Sequence, residues 1–240
     1  MSQRLDVPDA GRLMAIPDPI PAYLRRHYWW AYVHPNAVRV FEREWLVNLI
    51  LFHNYRRLGD AALDALGGTL PGRTLQIACV YGDLTERLAR RAAAADGNLD
   101  VVDVLPVQLD NLRRKLPPEA PARLLMRNSE DLALPDASYD RVLLFFLLHE
   151  QPEDVRRRTL REAMRVVRPG GTVVVVDYAR PRLWQPVRYL WLPVLRFLEP
   201  FARDLWRRDL TTWLPQPWAS GQLKRASFFG GLYQLVSITK

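Results

Sequence analysis

The stretch TLQIACVYGDLT, residues 74–85, decides the fold. It reads as a short apolar strand, a tight turn at Tyr81-Gly82-Asp83 and the start of a helix. About 20 residues further on, LDVVD (residues 99–103) reads as a second strand ending in an acid, Asp103. Strand, small-residue turn, helix, strand, acid is the layout of an adenosyl-cofactor site. The turn lets backbone approach the ligand, and the acid accepts from ribose hydroxyls. The turn is also abnormal, because it keeps one glycine, Gly82, where such sites usually carry several.

Working outward, the chain alternates. Strands are expected at 73–79, 99–104, 122–126, 139–148 and 172–177, and helices at 83–95, 106–116 and 152–167. Pro106 sits at a first helical turn, where its missing N–H costs nothing. The unbroken run VLLFFLL at 142–148 suits a central parallel strand covered on both faces. The tail SFFGGLYQLVSIT (227–239) predicts a strand on each side of a Gly230-Gly231 turn. An α/β fold follows, an open and mostly parallel sheet with an antiparallel edge. The expected organisation is a flexible leader over 1–20, a helical appendage over 21–72 and the α/β domain over 73–240, with an amphipathic insertion at 180–215. In the appendage Val38, Phe41, Trp45, Leu46, Asn48, Leu49 and Phe52 recur at helical spacing. In the insertion Trp184, Val187, Trp191, Val194 and Leu198 form a stripe broken by Pro186, Pro193 and Pro200.

Charge is uneven. Of a net +8, residues 179–240 hold ten Lys and Arg against three acids, whereas 73–178 are balanced at sixteen of each. All eight tryptophans lie outside 73–178. A neutral α/β core with basic, aromatic flanks suits an anionic membrane surface or, in a different class of function, a nucleic acid. The basic residues are interleaved with an apolar stripe, which favours the membrane. No apolar run reaches the roughly 18 residues that span a bilayer. The N-terminus lacks a basic-then-apolar signal layout. The lone cysteine, Cys79, excludes an internal disulfide and suits a reducing compartment.

Each candidate residue also has a plainer reading. Asp103 is placed to accept both ribose hydroxyls, or to cap the helix that begins at Pro106. Asp83 is a plausible N-cap. Gly82 permits close backbone approach, and Tyr81 faces the pocket or packs beside it. Asn128 is placed to pair with an adenine edge, or it serves an ordinary polar turn with Ser129. His149 and Glu150 open onto the same crevice. They suit acid–base work or shared metal ligation, or they are a cap and a supporting histidine. Cys79 reads as a packing residue, and His27, His34 and His53 as surface or packing residues.

These landmarks resemble the class I S-adenosylmethionine (SAM)-dependent methyltransferases over roughly 73–178. TLQIACVYGDLTERLA stands at the first, glycine-rich motif, VVDVLPVQLDNLRRKL at the second, NSEDLALPDASYDRVLLFFLLHE at the third and fourth, and LREAMRVVRPGGTVVVVDY at the fifth. The likeness implies a Rossmann-like fold and a cofactor seat at Gln76, Ala78, Val80, Tyr81, Gly82, Asp83, Asp103, Val104, Asn128, Ser129 and Phe145. More narrowly, RRHYWWAYVHPNAVRVFEREWLVNLILFHNYRRL, ACVYGDLT and FFGGLYQ resemble the rhodoquinone biosynthesis family. That family implies replacement of a ubiquinone ring methoxy group by an amino group, in the service of anaerobic respiration. It implies SAM as participant and nitrogen donor, and a divalent metal, manganese in particular. His149 and Glu150 are the expected metal ligands and, with Tyr81, the expected catalytic residues.

Against the superfamily pattern, Gln76 replaces the usual first-motif acid, and Ala78 and Val80 replace two usual glycines. The adenosine seat is thus expected to be ordinary and the methionine seat altered, so that the amine of SAM faces the quinone. A lipid-confined substrate implies a peripheral enzyme on the cytoplasmic face of the inner membrane. The expected interface is Trp184 and Trp191 with Arg182, Arg188, Arg196, Arg207 and Arg208. A quinone C- or O-methyltransferase is the enzymatic alternative, and a basic nucleic-acid-binding module the non-enzymatic one.

Overall fold

A computed structural model describes residues 20–28, 38, 40–190, 200–218 and 223–240. Residues 1–19 of the expected leader, Trp29, Trp30, His34, Trp191, Val194, Arg196 and Leu198 lie outside the described residues.

Seven strands form one sheet in the order β3-β2-β1-β4-β5-β7-β6: β1 Arg73–Ile77, β2 Asn98–Asp103, β3 Ala122–Met126, β4 Tyr139–Phe145, β5 Val167–Tyr178, β6 Leu223–Phe228 and β7 Tyr233–Thr239. β7 runs antiparallel to both β5 and β6, and the other pairs are parallel. This is the open, mostly parallel α/β sheet with an antiparallel edge anticipated from the alternation, and the Rossmann-like class I methyltransferase-type architecture that the resemblance implied. Within β4 the run from Val142 to Phe145 is apolar because both faces are covered there; Val142, Leu143 and Leu144 are fully buried. The order reverses between β1 and β4, so the crevice at their carboxyl ends is the natural ligand position.

The helices are α1 Ala22–His27, α2 Glu44–Ile50, α3 Tyr55–Leu66, α4 Leu84–Ala93, α5 Pro106–Lys115, α6 Glu153–Val166 and α7 Ala202–Arg207. α6 starts with Glu153 and Asp154 and ends with Arg165, which complements its dipole. α3 buries Tyr55, Leu58, Ala62, Leu63 and Leu66 in the same core as the sheet.

Two expected stripes do not hold together. The stripe 38–52 is broken at Arg43, which is extended (φ −67°, ψ 113°), so Trp45 and Leu49 turn to solvent while Val38 is buried. A reversal at Phe52 and His53 (φ 50° and 60°) follows, held by the Asn54 amide donating to the carbonyls of Leu51 and Phe52. In the insertion, Trp184 lies ahead of the helical residues and faces solvent, whereas Val187 packs on the core. Trp206 and Trp213 are buried, Trp213 beneath the Arg156 guanidinium at 4.5 Å. Arg208 is tied to Glu153 at 2.6 and 2.9 Å. Trp206 and Trp213 therefore belong to packing, and Arg208 keeps a partly exposed side chain.

Candidate functional site

A cavity of about 450 Å³ opens at the carboxyl edge of β1, β2 and β4. Ala78, Val80, Tyr81, Asp103, Val104, Asn128, Ser129, Phe145, His149 and Glu150 all line it, joined by Cys79. Gln76, Gly82 and Asp83 are not among its lining residues.

Each of those three has a structural occupation. The Gln76 side chain is fully buried and donates to Thr85 Oγ1 (3.0 Å) and to the Ala78 carbonyl (2.9 Å), so it braces the turn from behind. Asp83 holds the N-cap position of α4 but makes no capping hydrogen bond, because its own backbone is helical (φ −97°, ψ 0°). The Tyr55 hydroxyl accepts from the Leu84 N–H instead, at 2.9 Å. Gly82 adopts φ +83°, and a Cβ there would lie 2.5 Å from the Tyr55 hydroxyl oxygen. The glycine therefore makes room for Tyr55. Its N–H is held by Glu42 at 3.1 Å, and its carbonyl by Lys115, which also pairs with Glu42. Gly82→Ala is expected to lower stability by about 1–3 kcal/mol, read as a drop in melting temperature. Adding Tyr55→Phe should recover part of it; a variant that melts with the wild type would contradict the packing argument.

The turn itself is strained. Ala78 adopts φ +74°, a region that favours glycine, and its Cβ is carried into the cavity wall. Tyr81 stacks on Phe41 (6.1 Å between ring centres), and its hydroxyl accepts from Gln108 Nε2 at 2.8 Å. Burial pushes the Tyr81 phenol well up, which keeps it a neutral donor. Burial likewise pushes the Cys79 thiol up, in keeping with a packing role.

Asp103 serves the scaffold and faces the cavity at once. One oxygen accepts from the Cys79 N–H and the other from the Leu105 N–H, both at 2.8 Å, which ties the first turn to the start of α5. Burial pushes its carboxyl above the usual range, although the N–H groups of Cys79, Leu105 and Val104 pull the other way. Asn128 uses its amide locally, donating to Glu130 Oε1 (3.0 Å) and accepting from the Glu130 N–H (3.2 Å). Ser129 Oγ lies 3.0 Å from both Thr159 Oγ1 and Gln151 Nε2.

Residues 74–171 match the methyltransferase domain family. They carry a methyltransferase domain. Relatives include the demethylmenaquinone methyltransferase of Bacillus licheniformis, 26% identical over 70% of this chain and 72% of that protein. Another is the ubiquinone/menaquinone biosynthesis C-methyltransferase UbiE of Idiomarina loihiensis, 27% identical over 56% of this chain and 53% of the relative. Among solved structures, a SAM-dependent methyltransferase from Aquifex aeolicus superposes with a TM-score of 0.53 at 16% identity. It covers 85% of this chain and 97% of its own, a likeness of fold. The protein is a transferase by its methyltransferase domain, residues 74–171.

Beyond β4, the methyltransferase domain presents His149 and Glu150 on a short turn, Leu148–Glu150, braced from below. Arg156, fully buried on α6, donates to the carbonyls of Leu148, Gln151 and Phe201 at 2.9–3.0 Å. The decisive partner is Asp177, near the end of β5, whose side chain has no solvent exposure. One Asp177 oxygen accepts from the N–H groups of Leu148 (2.8 Å) and His149 (3.2 Å). The other accepts from the Tyr178 N–H (2.7 Å) and meets His149 Nδ1 at 3.0 Å. A carboxylate at that distance makes Nδ1 the protonated nitrogen and Nε2 the acceptor. Nε2 stands 3.7 Å from Glu150 Oε1. Phe146 and Tyr178 meet the imidazole edge-on at 5.8 and 5.0 Å, which fixes its plane. A second-row aspartate, an imidazole and a further carboxylate on an apolar wall can take up and hold a proton.

The expected manganese seat is incomplete among the described residues. Among the described residues no group of three or more His, Cys, Asp or Glu is placed to hold a metal ion. His149 Nε2 and Glu150 supply two donors, with Asp177 on Nδ1 orienting the imidazole.

Sequence reasoning missed Tyr23, Phe41 and Gln108 in the wall, and Tyr55, Glu42, Arg156 and Asp177 behind it. Asp177 alone left a signal, an acid closing an otherwise apolar strand in the same way as Asp103.

Proposed function

We propose that the protein is a SAM-dependent enzyme that modifies the ring of a lipophilic quinone. The observation that carries this reading is one predominantly apolar cavity faced at once by Asp103 and by the His149–Glu150 pair. Asp103 holds the ribose, with Val104, Asn128, Ser129 and Phe145 around the base. Ala78, Cys79, Val80 and Tyr81 line the methionine arm. Bound there, SAM supplies an electrophilic methyl group. His149, held by Asp177, takes the phenolic proton of the reduced ring at Nε2, which makes the ring electron-rich, and Glu150 stabilises the resulting imidazolium. The relatives support transfer to ring carbon better than any other outcome.

One specific observation favours the amination reading, replacement of a ring methoxy group by an amino group as in rhodoquinone formation. The methionine seat departs from the superfamily pattern: Gln76 is turned away from the cavity, and Ala78 and Val80 put side chains where glycines usually leave space. A displaced methionine arm would bring its amine to the ring, where C–N bond formation expels the methoxy group as methanol, and elimination across the methionine Cα–Cβ bond then breaks Cα–N and leaves NH₂ on the ring. Both readings are tested by mass spectrometry of the product formed from purified protein, SAM and quinones with and without a free ring position. Gain of one CH₂ is the expected result for methylation. Loss of OCH₃ with gain of NH₂, carrying the label of nitrogen-15 SAM, is the result for amination. No change in any quinone ring would remove both.

Among the described residues no helix is long and apolar enough to cross a membrane. A quinone confined to lipid therefore has to be met at the bilayer surface. Exposed Trp184 beside exposed Arg180 and Arg182 supports peripheral contact with an anionic leaflet.

A further inference from the structure

Helix α2 has apolar residues on both of its faces. Trp45 and Leu49, one turn apart, are 61% and 53% exposed, and Val40 just ahead is exposed too. Val47 and Ile50, followed by Leu51, line the cavity from the other side. A helix on a water-facing surface shows one apolar stripe and one polar face. One with apolar residues on both faces has a second apolar neighbour.

A second exposed apolar set follows β5: Leu183, Trp184, Tyr189 and Leu190, of which Trp184 is 67% exposed. Phe52, just after α2, stacks on Phe229 with ring centres 5.5 Å apart. The Phe229 carbonyl accepts from Gln185 Nε2 at 3.0 Å. A Cβ on Gly230 would stand 3.3 Å from the Trp184 ring, so Trp184 and the end of α2 meet at one rim around the Phe52–Phe229 stack. That rim is cationic. Arg43, Arg56, Arg57, Arg180 and Arg182 are exposed along it, residues 180–190 contain no acid, and exposed Glu44 is paired with Arg56 at 3.3 Å.

We infer that α2 is a lateral doorway between an anionic lipid surface and the cavity. Its outer face beds with residues 183–190 among the headgroups, and its inner face receives the apolar tail of the substrate. Aromatic and aliphatic tips ringed by arginines suit acidic phospholipid at the water interface. A second copy of the chain fits less well, because two cationic rims would face each other. The doorway rests on the lipophilic-quinone reading, whereas lipid contact by α2 stands without it.

The experiment uses the full chain and the double variant Trp45→Ser/Leu49→Ser, with Trp184→Ser as a second variant. Sedimentation with phosphatidylcholine vesicles, with and without phosphatidylglycerol, reads partitioning. Turnover is read on a long-tail quinone in those vesicles and on a short-tail quinone in water. Wild type should bind the anionic vesicles. The double variant should lose about tenfold or more of that binding and a matching share of long-tail turnover, while short-tail turnover and melting temperature hold. Trp184→Ser should weaken binding and long-tail turnover together, as the double variant does. Wild-type binding to neither vesicle, or unchanged partitioning of the double variant, overturns the inference. So does a loss of binding that leaves long-tail turnover intact, or dimer dissociation without vesicle binding. If wild type turns over neither quinone, the quinone reading fails, and the partitioning still decides lipid contact.

Discussion

Asp177→Asn is expected to cut turnover by roughly 10²–10⁴-fold while leaving the affinity for SAM in place. The side chain is fully enclosed, and both its oxygens are in use. An asparagine keeps only one acceptor, so either the Leu148 and His149 amides or the imidazole lose a partner. If the amide nitrogen faces the ring, it presents a donor to Nδ1. The imidazole then keeps its proton on Nε2 and can no longer accept one from the substrate. The lost backbone acceptor costs about 1–3 kcal/mol of stability, so His149→Gln serves as the companion variant. It should show a similar loss of turnover with the Asp177 network largely intact. Nitrogen-15 spectra of the histidine ring give an independent reading: protonated Nδ1 in the wild type and protonated Nε2 in Asp177→Asn. Full turnover in His149→Gln would falsify the assigned role of the imidazole, whatever reaction the enzyme performs on the ring.

Asp103→Asn should weaken SAM binding by about a hundredfold, on the order of 2.7 kcal/mol, through loss of charged hydrogen bonds to the ribose. Isothermal titration checks it. The pH dependence has a definite sign. Burial raises the Asp103 pKa, and only the ionised form accepts from both hydroxyls. Affinity should therefore fall as pH drops through that raised pKa, beginning above the range where an ordinary aspartate, near about 3.9, takes up its proton. The asparagine variant should lose this dependence along with the affinity. A wild-type affinity that stays flat through acid pH until the protein unfolds would contradict ribose recognition by Asp103.

Much of this site was legible in the chain because its placement is local. Asp103 and the His149–Glu150 pair each follow a predicted strand, and a parallel sheet brings successive strand ends to one edge. The turn residues Ala78, Val80 and Tyr81 reached the cavity for the same reason. Gln76 and Asp83 did not, because strand alternation points Gln76 to the rear of the sheet and Tyr55 had already claimed the start of α4. The stripe at 38–52 misled because helical spacing says nothing about a break at Arg43. The residue before that break, Glu42, is pinned at long range by Lys115 and Asn111.

Strand and helix periods, the acid closing β2 and the Gly230-Gly231 reversal were determined by the sequence alone. They are short-range consequences of side-chain alternation, capping and turn geometry. Which acid orients His149 was decided only by the tertiary structure. Asp177 lies 28 positions from the imidazole along the chain, and β5 beside β4 is what carries it there. The same holds for Tyr55 beneath Gly82 and for which face of α2 is exposed, since burial is settled by what packs against a surface and not by the surface's own residues.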